Sequence, residues 1–161
     1  MERRAYVLEP GAGESVWTLG GRFTIKLSGP VAGGHVSLIE TLATRAAEPP
    51  LHIHHREDEA WYILDGQMTF HVDGQVVTAR TGSFVFAPRG LPHAFTVDVE
   101  PTRVLLVALP AGFERFVVEL GVPADSDEPP AGLTMPGPEV LGPVAERYGI
   151  EIVGPPIRLR G

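Results

Sequence analysis

Residues 6–110 read as a series of short strands divided by turn residues. Residues 22–28 alternate apolar and polar positions, with Phe23, Ile25 and Leu27 on one face. Residues 35–43 form a second run, with Val36, Leu38 and Leu42 on one face. Strands at 61–64 and 67–72 follow, separated by Asp65-Gly66, and Asp73-Gly74 joins the second of these to a strand at 75–79. Asp-Gly between two alternating runs is a strong hairpin signal, because type I′ turns need two residues with positive φ. Further strands are expected at 83–86, 94–97 and 103–109. Many short strands at intervals of roughly 8–12 residues predict an all-β antiparallel sandwich or barrel.

After Pro110 the pattern changes. Phe113, Phe116, Val117 and Leu120 recur at helical spacing, and Gly121 closes the run. Residues 122–138 are rich in Pro, Gly and acid and read as a loop or linker. Residues 139–148 are the candidate for a second short helix ended by Gly149, and residues 150–153 for a last strand or a tail. The expected organisation is a β-barrel domain over 1–121, with its core at about 22–110, followed by a Pro/Gly-rich extension over 122–161.

Composition narrows the function. The 161 residues suit one domain that needs no covalent staples. With no cysteine, disulfides, thiolate metal sites and cysteine nucleophiles are excluded. A net charge of −7 lacks the cationic field that phosphate backbones require, so no nucleic-acid partner is expected. No apolar run reaches the length of a signal core or a membrane-spanning helix, so a cytoplasmic protein without a membrane partner is expected. The sequence contains no Gly-x-Ser-x-Gly elbow, phosphate-binding loop or His-Glu-x-x-His, and Gly11-Ala-Gly13 lacks the context of a dinucleotide fingerprint.

The candidate chemistry is His52-Ile53-His54 followed by Glu59. Side chains two apart on a strand point the same way, so His52 and His54 can meet one ion. Glu59, Trp61 and Ile63 share a parity on the next strand. His93, after the turn at Pro88 and Gly90, is the natural fourth ligand, with Phe95 and Val97 at matching parity. Imidazoles with a carboxylate suit one divalent transition metal per chain: iron, nickel, manganese, copper, cobalt or zinc. His55 has the opposite parity, and His35 and His71 lack a partner at metal spacing; all three are expected to be ordinary histidines.

These residues carry a family resemblance. His52-x-His54-x4-Glu59-x6-Gly66 resembles the first cupin motif, and Gly82-x5-Pro88-x-Gly90-x2-His93 resembles the second, with residues 67–81 between them. Val97 stands where the second motif usually has Asn. The wording of residues 50–66 is similar to quercetin 2,3-dioxygenase-like proteins. The resemblance implies an antiparallel double-stranded β-helix, or jelly-roll barrel, with one or two short C-terminal helices and a metal inside its mouth. It implies a dioxygenase acting on a hydrophobic or aromatic hydroxylated, flavonol-like small molecule together with dioxygen. Alternatives are a metal-dependent isomerase, cyclase or decarboxylase, and a non-enzymatic binder. In flavonol-cleaving relatives the glutamate matching Glu59 is thought to act as base, so Glu59 is both a metal-ligand and a catalytic candidate. Trp61, Ile63, Phe70 and Phe95 are candidates to line the substrate cavity or to pack the core. A homodimer is expected, because open sandwich edges need cover.

Overall fold

A computed structural model describes residues 5–157. Strands β1 (Glu14–Thr18), β2 (Gly21–Leu27) and β3 (Ser37–Ala43) open the fold, with a single-turn helix α1 (Gly29–Ala32) between β2 and β3. A 3₁₀ turn at Arg45–Ala47 leads into β4 (Pro50–His54) and β5 (Asp58–Asp65). Then come β6 (Gln67–Val72), β7 (Gln75–Arg80), β8 (Phe84–Ala87), β9 (His93–Val97) and β10 (Thr102–Leu109). Helix α2 (Phe113–Leu120), the two-residue β11 (Val122–Pro123), helix α3 (Pro138–Arg147) and β12 (Ile150–Pro156) complete it.

Two antiparallel sheets face each other. One is ordered β11-β1-β2-β3-β10-β5-β8 and the other β12-β4-β9-β6-β7. This is the all-β jelly roll. No described helix is long and apolar enough to cross a membrane.

The alternation of β10 shows how the core is built. Thr102, Val104, Leu106 and Ala108 are buried, while Arg103 and Leu109 are exposed. Between its partners β3 and β5, this strand sends every second side chain into the barrel. In β3 the inward set is Ser37, Ile39, Thr41 and Ala43, so Leu38 and Leu42 lie half-buried on the outer face. The reason is Glu40, which shares that outer face and forms ion pairs with Lys26 at 3.3 Å and Arg103 at 3.7 Å. Turning it inward would bury a carboxylate without its partners.

The two Asp-Gly pairs behave differently. Asp73 and Gly74 both have positive φ and close the β6–β7 hairpin. Asp65-Gly66 makes no hairpin: β5 and β6 belong to opposite sheets, and the chain crosses between them there. Gly66, at φ +103°, passes so close to Thr102 that an added Cβ would lie 3.0 Å from its Cα. The sheet crossing therefore depends on a bare backbone at this point.

Helix α2 turns Phe113, Phe116 and Val117 into the core. Its start is fixed by buried Glu114, whose carboxylate accepts from the backbone N–H of Gly112 at 2.8 Å and of Gly29 at 2.9 Å. Residues 122–137 connect α2 to α3 and supply the two-residue strand β11, which pairs with β1. Helix α3 begins on Pro138, where a missing N–H costs nothing, and buries Leu141 and Ala145. Tyr148 follows it, packing edge-on against Phe116 at 5.7 Å and donating to Glu119 at 2.6 Å. Strand β12 then hydrogen-bonds along β4.

Candidate metal centre

Sheet register brings four distant residues together. His52 and His54 project from β4 with one residue between them. His93 starts β9 and lies directly across from His52. Glu59 comes from β5 in the opposite sheet, so the cluster spans the two layers. One ligand atom from each of His52, His54, Glu59 and His93 lies within 4.8 Å of the others. Adjacent ligands around an octahedral first-row metal are about 3 Å apart and opposite ones about 4.2 Å, given bonds of about 2.1 Å. The cluster is thus close to the size of a coordination shell.

The imidazoles are oriented as ligation requires. His52 donates Nδ1–H to the Pro50 carbonyl at 2.8 Å, and His93 donates Nδ1–H to the Leu91 carbonyl at 3.0 Å. Nδ1 of His54 faces the Glu57 carboxylate at 3.5 Å. Each ring therefore has Nδ1 engaged outward. The Nε2 atoms of His54 and His93 lie 3.2 and 3.0 Å from Oε2 of Glu59. Outer partners of this kind fix the tautomer and raise the basicity of the inward nitrogen. The residues present fit a divalent metal.

Electrostatics point the same way. Burial pushes the Glu59 carboxyl up, but the surrounding His54, His93 and His52 rings outweigh this and lower its pKa to about 2. Burial lowers His52 to about 3, reinforced by the neighbouring His93 and His54 rings. His93 moves upward: burial opposes its charge, but the hydrogen bond to Glu59 prevails. A carboxylate held in its charged form among imidazoles is the state in which the cluster can bind a cation.

A cavity opens beside the cluster. His52, His54 and Glu59 lie on its wall, and the one other polar side chain there is Thr41. Everything else lining it is apolar or proline, including Trp61, Leu106, Phe113 and Met135. Trp61 and Phe95 are on the wall, whereas Ile63 and Phe70 are not; both are buried in the core, with Phe70 in contact with Trp61 and Phe95. His93 lies behind the lining, edge-on to Trp61 at 5.7 Å. His55 points outward and meets Glu151 at 2.7 Å, and His35 is exposed. His71 is half-buried on β6, away from the cluster.

Several participants carry no sequence signal. Glu57 sits in the bend between β4 and β5, is buried, and backs His54. Its parity could not be read, because the bend breaks the alternation. The C-terminal segment roofs the cavity: Met135, Leu141, Ala145, Ile150 and Ile152 all line it. The apolar spacing of Leu141 and Ala145 was the one available hint.

Comparison with known proteins follows the same line. The cupin domain family matches residues 38–108. Over 118 residues, 73% of this chain, the sequence is 30% identical to quercetin 2,3-dioxygenase of Bacillus subtilis; the chain spans 35% of that relative's length. Among solved structures, KdgF from Halomonas superposes with a TM-score of 0.59 at 17% identity, covering 70% of this chain and 98% of that one. Streptomyces PAC13 with uridine gives 0.56 at 16% identity, covering 70% and 87%. A further structure of Pac13, described as a nucleoside dehydratase, gives 0.55 at 14%, covering 78% and 100%. At such identities the structural likeness is one of fold.

Proposed function

The chain carries a cupin domain that resembles quercetinase-like proteins, and from that premise we propose that it is a metal-dependent dioxygenase acting on a flavonol-like small molecule. The observation that carries this reading is the meeting of a four-residue, metal-capable cluster with an almost wholly apolar cavity. A hydrophobic planar ligand suits such walls, and the polar groups at one end orient it.

His52, His54, Glu59 and His93 would hold the metal. When bound, it would lower the pKa of a coordinating substrate hydroxyl and fix that oxygen in place. Glu59 has a second part to play. As the one carboxylate among the described residues on the cavity wall, it would take the hydroxyl proton once the metal had lowered the pKa of that hydroxyl. Losing that proton makes the neighbouring ring carbon electron-rich, which is what dioxygen needs in order to attack it. Trp61 and Phe95 give the ligand flat apolar surfaces, and Phe113, edge-on to His54 at 5.4 Å, keeps water from the cluster. A homodimer belongs to the same reading: edge strand β8 exposes Phe84 and Phe86 at 65% and 49%, a surface a second copy would cover.

The test is oxygen uptake by protein loaded in turn with iron, nickel, manganese, copper or cobalt, with quercetin as probe. Equimolar loss of oxygen and flavonol is expected with at least one metal. Turnover that proceeds equally well without oxygen would replace the dioxygenase with a Lewis-acid isomerase, cyclase or decarboxylase. Tight binding with no turnover under either condition would leave a binding protein.

A further inference from the structure

The cavity wall holds one polar side chain outside the cluster. Thr41 lies on β3, paired with Phe23 on one side and Val104 on the other, and both neighbours also line the cavity. Thr41 is only 5% exposed, and its hydroxyl has no hydrogen-bond partner within the protein. Leaving a buried hydroxyl unpaired is unfavourable, and valine has the same shape and a higher strand preference. A hydroxyl left unpaired on a cavity wall is free to bond a ligand there. Thr18 and Ser37 also have buried hydroxyls without protein partners, but neither is on the cavity wall. Among the described residues only Thr41 combines an unused hydroxyl with a place on the wall of the space a ligand would fill.

The register gives its distance from the cluster. Glu59 pairs with Ala108, four residues along β10 from Val104, the partner of Thr41. Glu59 and Thr41 are also two strands apart, on either side of β10. With about 3.3 Å per residue and about 4.8 Å per strand, their Cα atoms are roughly 16 Å apart along the sheet. Both side chains stand on the inner face of one sheet, so the polar atoms they carry are likewise more than about 10 Å apart.

We propose that Thr41 is a specificity-determining residue whose hydroxyl binds a second polar atom at the far end of an elongated, otherwise apolar ligand held by the cluster at its near end. The proposal rests on the small-molecule site described above and narrows its ligand to molecules with polar groups at both ends. A flavonol hydroxylated on its pendant ring has that form, and one without those hydroxyls does not.

The experiment compares wild type, Thr41→Val and Thr41→Ser in the metal-loaded full chain. Equilibrium binding is measured for quercetin and for 3-hydroxyflavone, which lacks the distal hydroxyls. Thr41→Val is expected to weaken quercetin binding about tenfold, the size of one hydrogen bond, with 3-hydroxyflavone unchanged. Thr41→Ser should retain most of the quercetin affinity. Equal losses for both ligands, or no loss for either, would overturn the assignment. Thermal melting without ligand decides the point independently of any flavonol. If the hydroxyl is kept for a ligand, Thr41→Val should melt higher than wild type, by roughly 2–4 °C. A lower melting temperature would make the hydroxyl structural and end the proposal. If wild type binds neither flavonol and Thr41→Val still melts higher, the flavonol reading fails while the cavity hydroxyl stands as a site for another ligand.

Discussion

Glu57 offers a test of how the site is supported. It holds no place in the four-residue cluster, yet it is only 4% exposed and its Oε2 lies 3.5 Å from Nδ1 of His54. That separation is at the outer limit of a hydrogen bond. Metal binding would make Nδ1 a stronger donor and draw the pair together. Removing an outer partner of a metal-bound imidazole typically costs about 10–100-fold in affinity, or about 1.4–2.8 kcal/mol. Glu57→Ala is expected to lose that much. Glu57→Gln keeps an acceptor but not the charge, and should lose nearer tenfold. Gly112 gives a second route to the same perturbation, because a Cβ there would lie 2.7 Å from Oε1 of Glu57. Gly112→Ala should push the carboxylate aside and weaken metal binding in the same direction. The assay is competition with a chromogenic chelator at fixed pH, alongside thermal melts to confirm folding. A Glu57→Ala protein that folds normally and binds metal within twofold of wild type would refute the reasoning.

Three further outcomes are expected. Arg89 holds Asp58 through paired hydrogen bonds of 3.0 and 2.9 Å and its backbone N–H adds a third, which lowers the Asp58 pKa from its ordinary value to about 2. A depressed folded-state pKa gives stability that is complete above the unfolded pKa of about 3.9 and is lost as pH falls towards 2. The gap in denaturant midpoint between wild type and Asp58→Asn should therefore be widest near pH 7 and shrink steadily below pH 4; a constant gap would contradict it. Gly66→Ala must seat a Cβ against Thr102 at positive φ, and should cost at least about 1–2 kcal/mol and lower the melting temperature by several degrees. Leu141→Ala removes part of the cavity roof without opening a new void, so its cost should fall near the low end of the ~2–5 kcal/mol range, with tighter binding of bulkier planar ligands read by titration.

Much of the fold was legible because strands carry a period of two. The β6–β7 hairpin, the inward run of β10 and the shared face of His52 and His54 all follow from alternation and one turn dipeptide. The same rules misled at Asp65-Gly66, where the dipeptide marks a crossing between sheets. Local turn chemistry is the same in both cases, and only Thr102, distant in sequence, distinguishes them. In β3, Leu38 and Leu42 share a face as their spacing predicts, and Glu40 with its ion pairs makes that face the outer one. Strand β1 was missed, since Glu14–Thr18 shows little alternation and is held by pairing with β2 and β11. In the site, the four cluster residues were readable from spacing. Glu57 and Thr41 were not: one sits in an irregular bend, and the other looks like any strand threonine until the cavity beside it is known.

The central claim is that His52, His54, Glu59 and His93 together hold one divalent metal. Elemental analysis by mass spectrometry, on untagged wild type beside His54→Ala, tests it most directly. The account predicts about one transition-metal ion per wild-type chain, lost from a variant that remains folded. Metal retained at the same level in folded His54→Ala, or absent from wild type even after reconstitution, would contradict it.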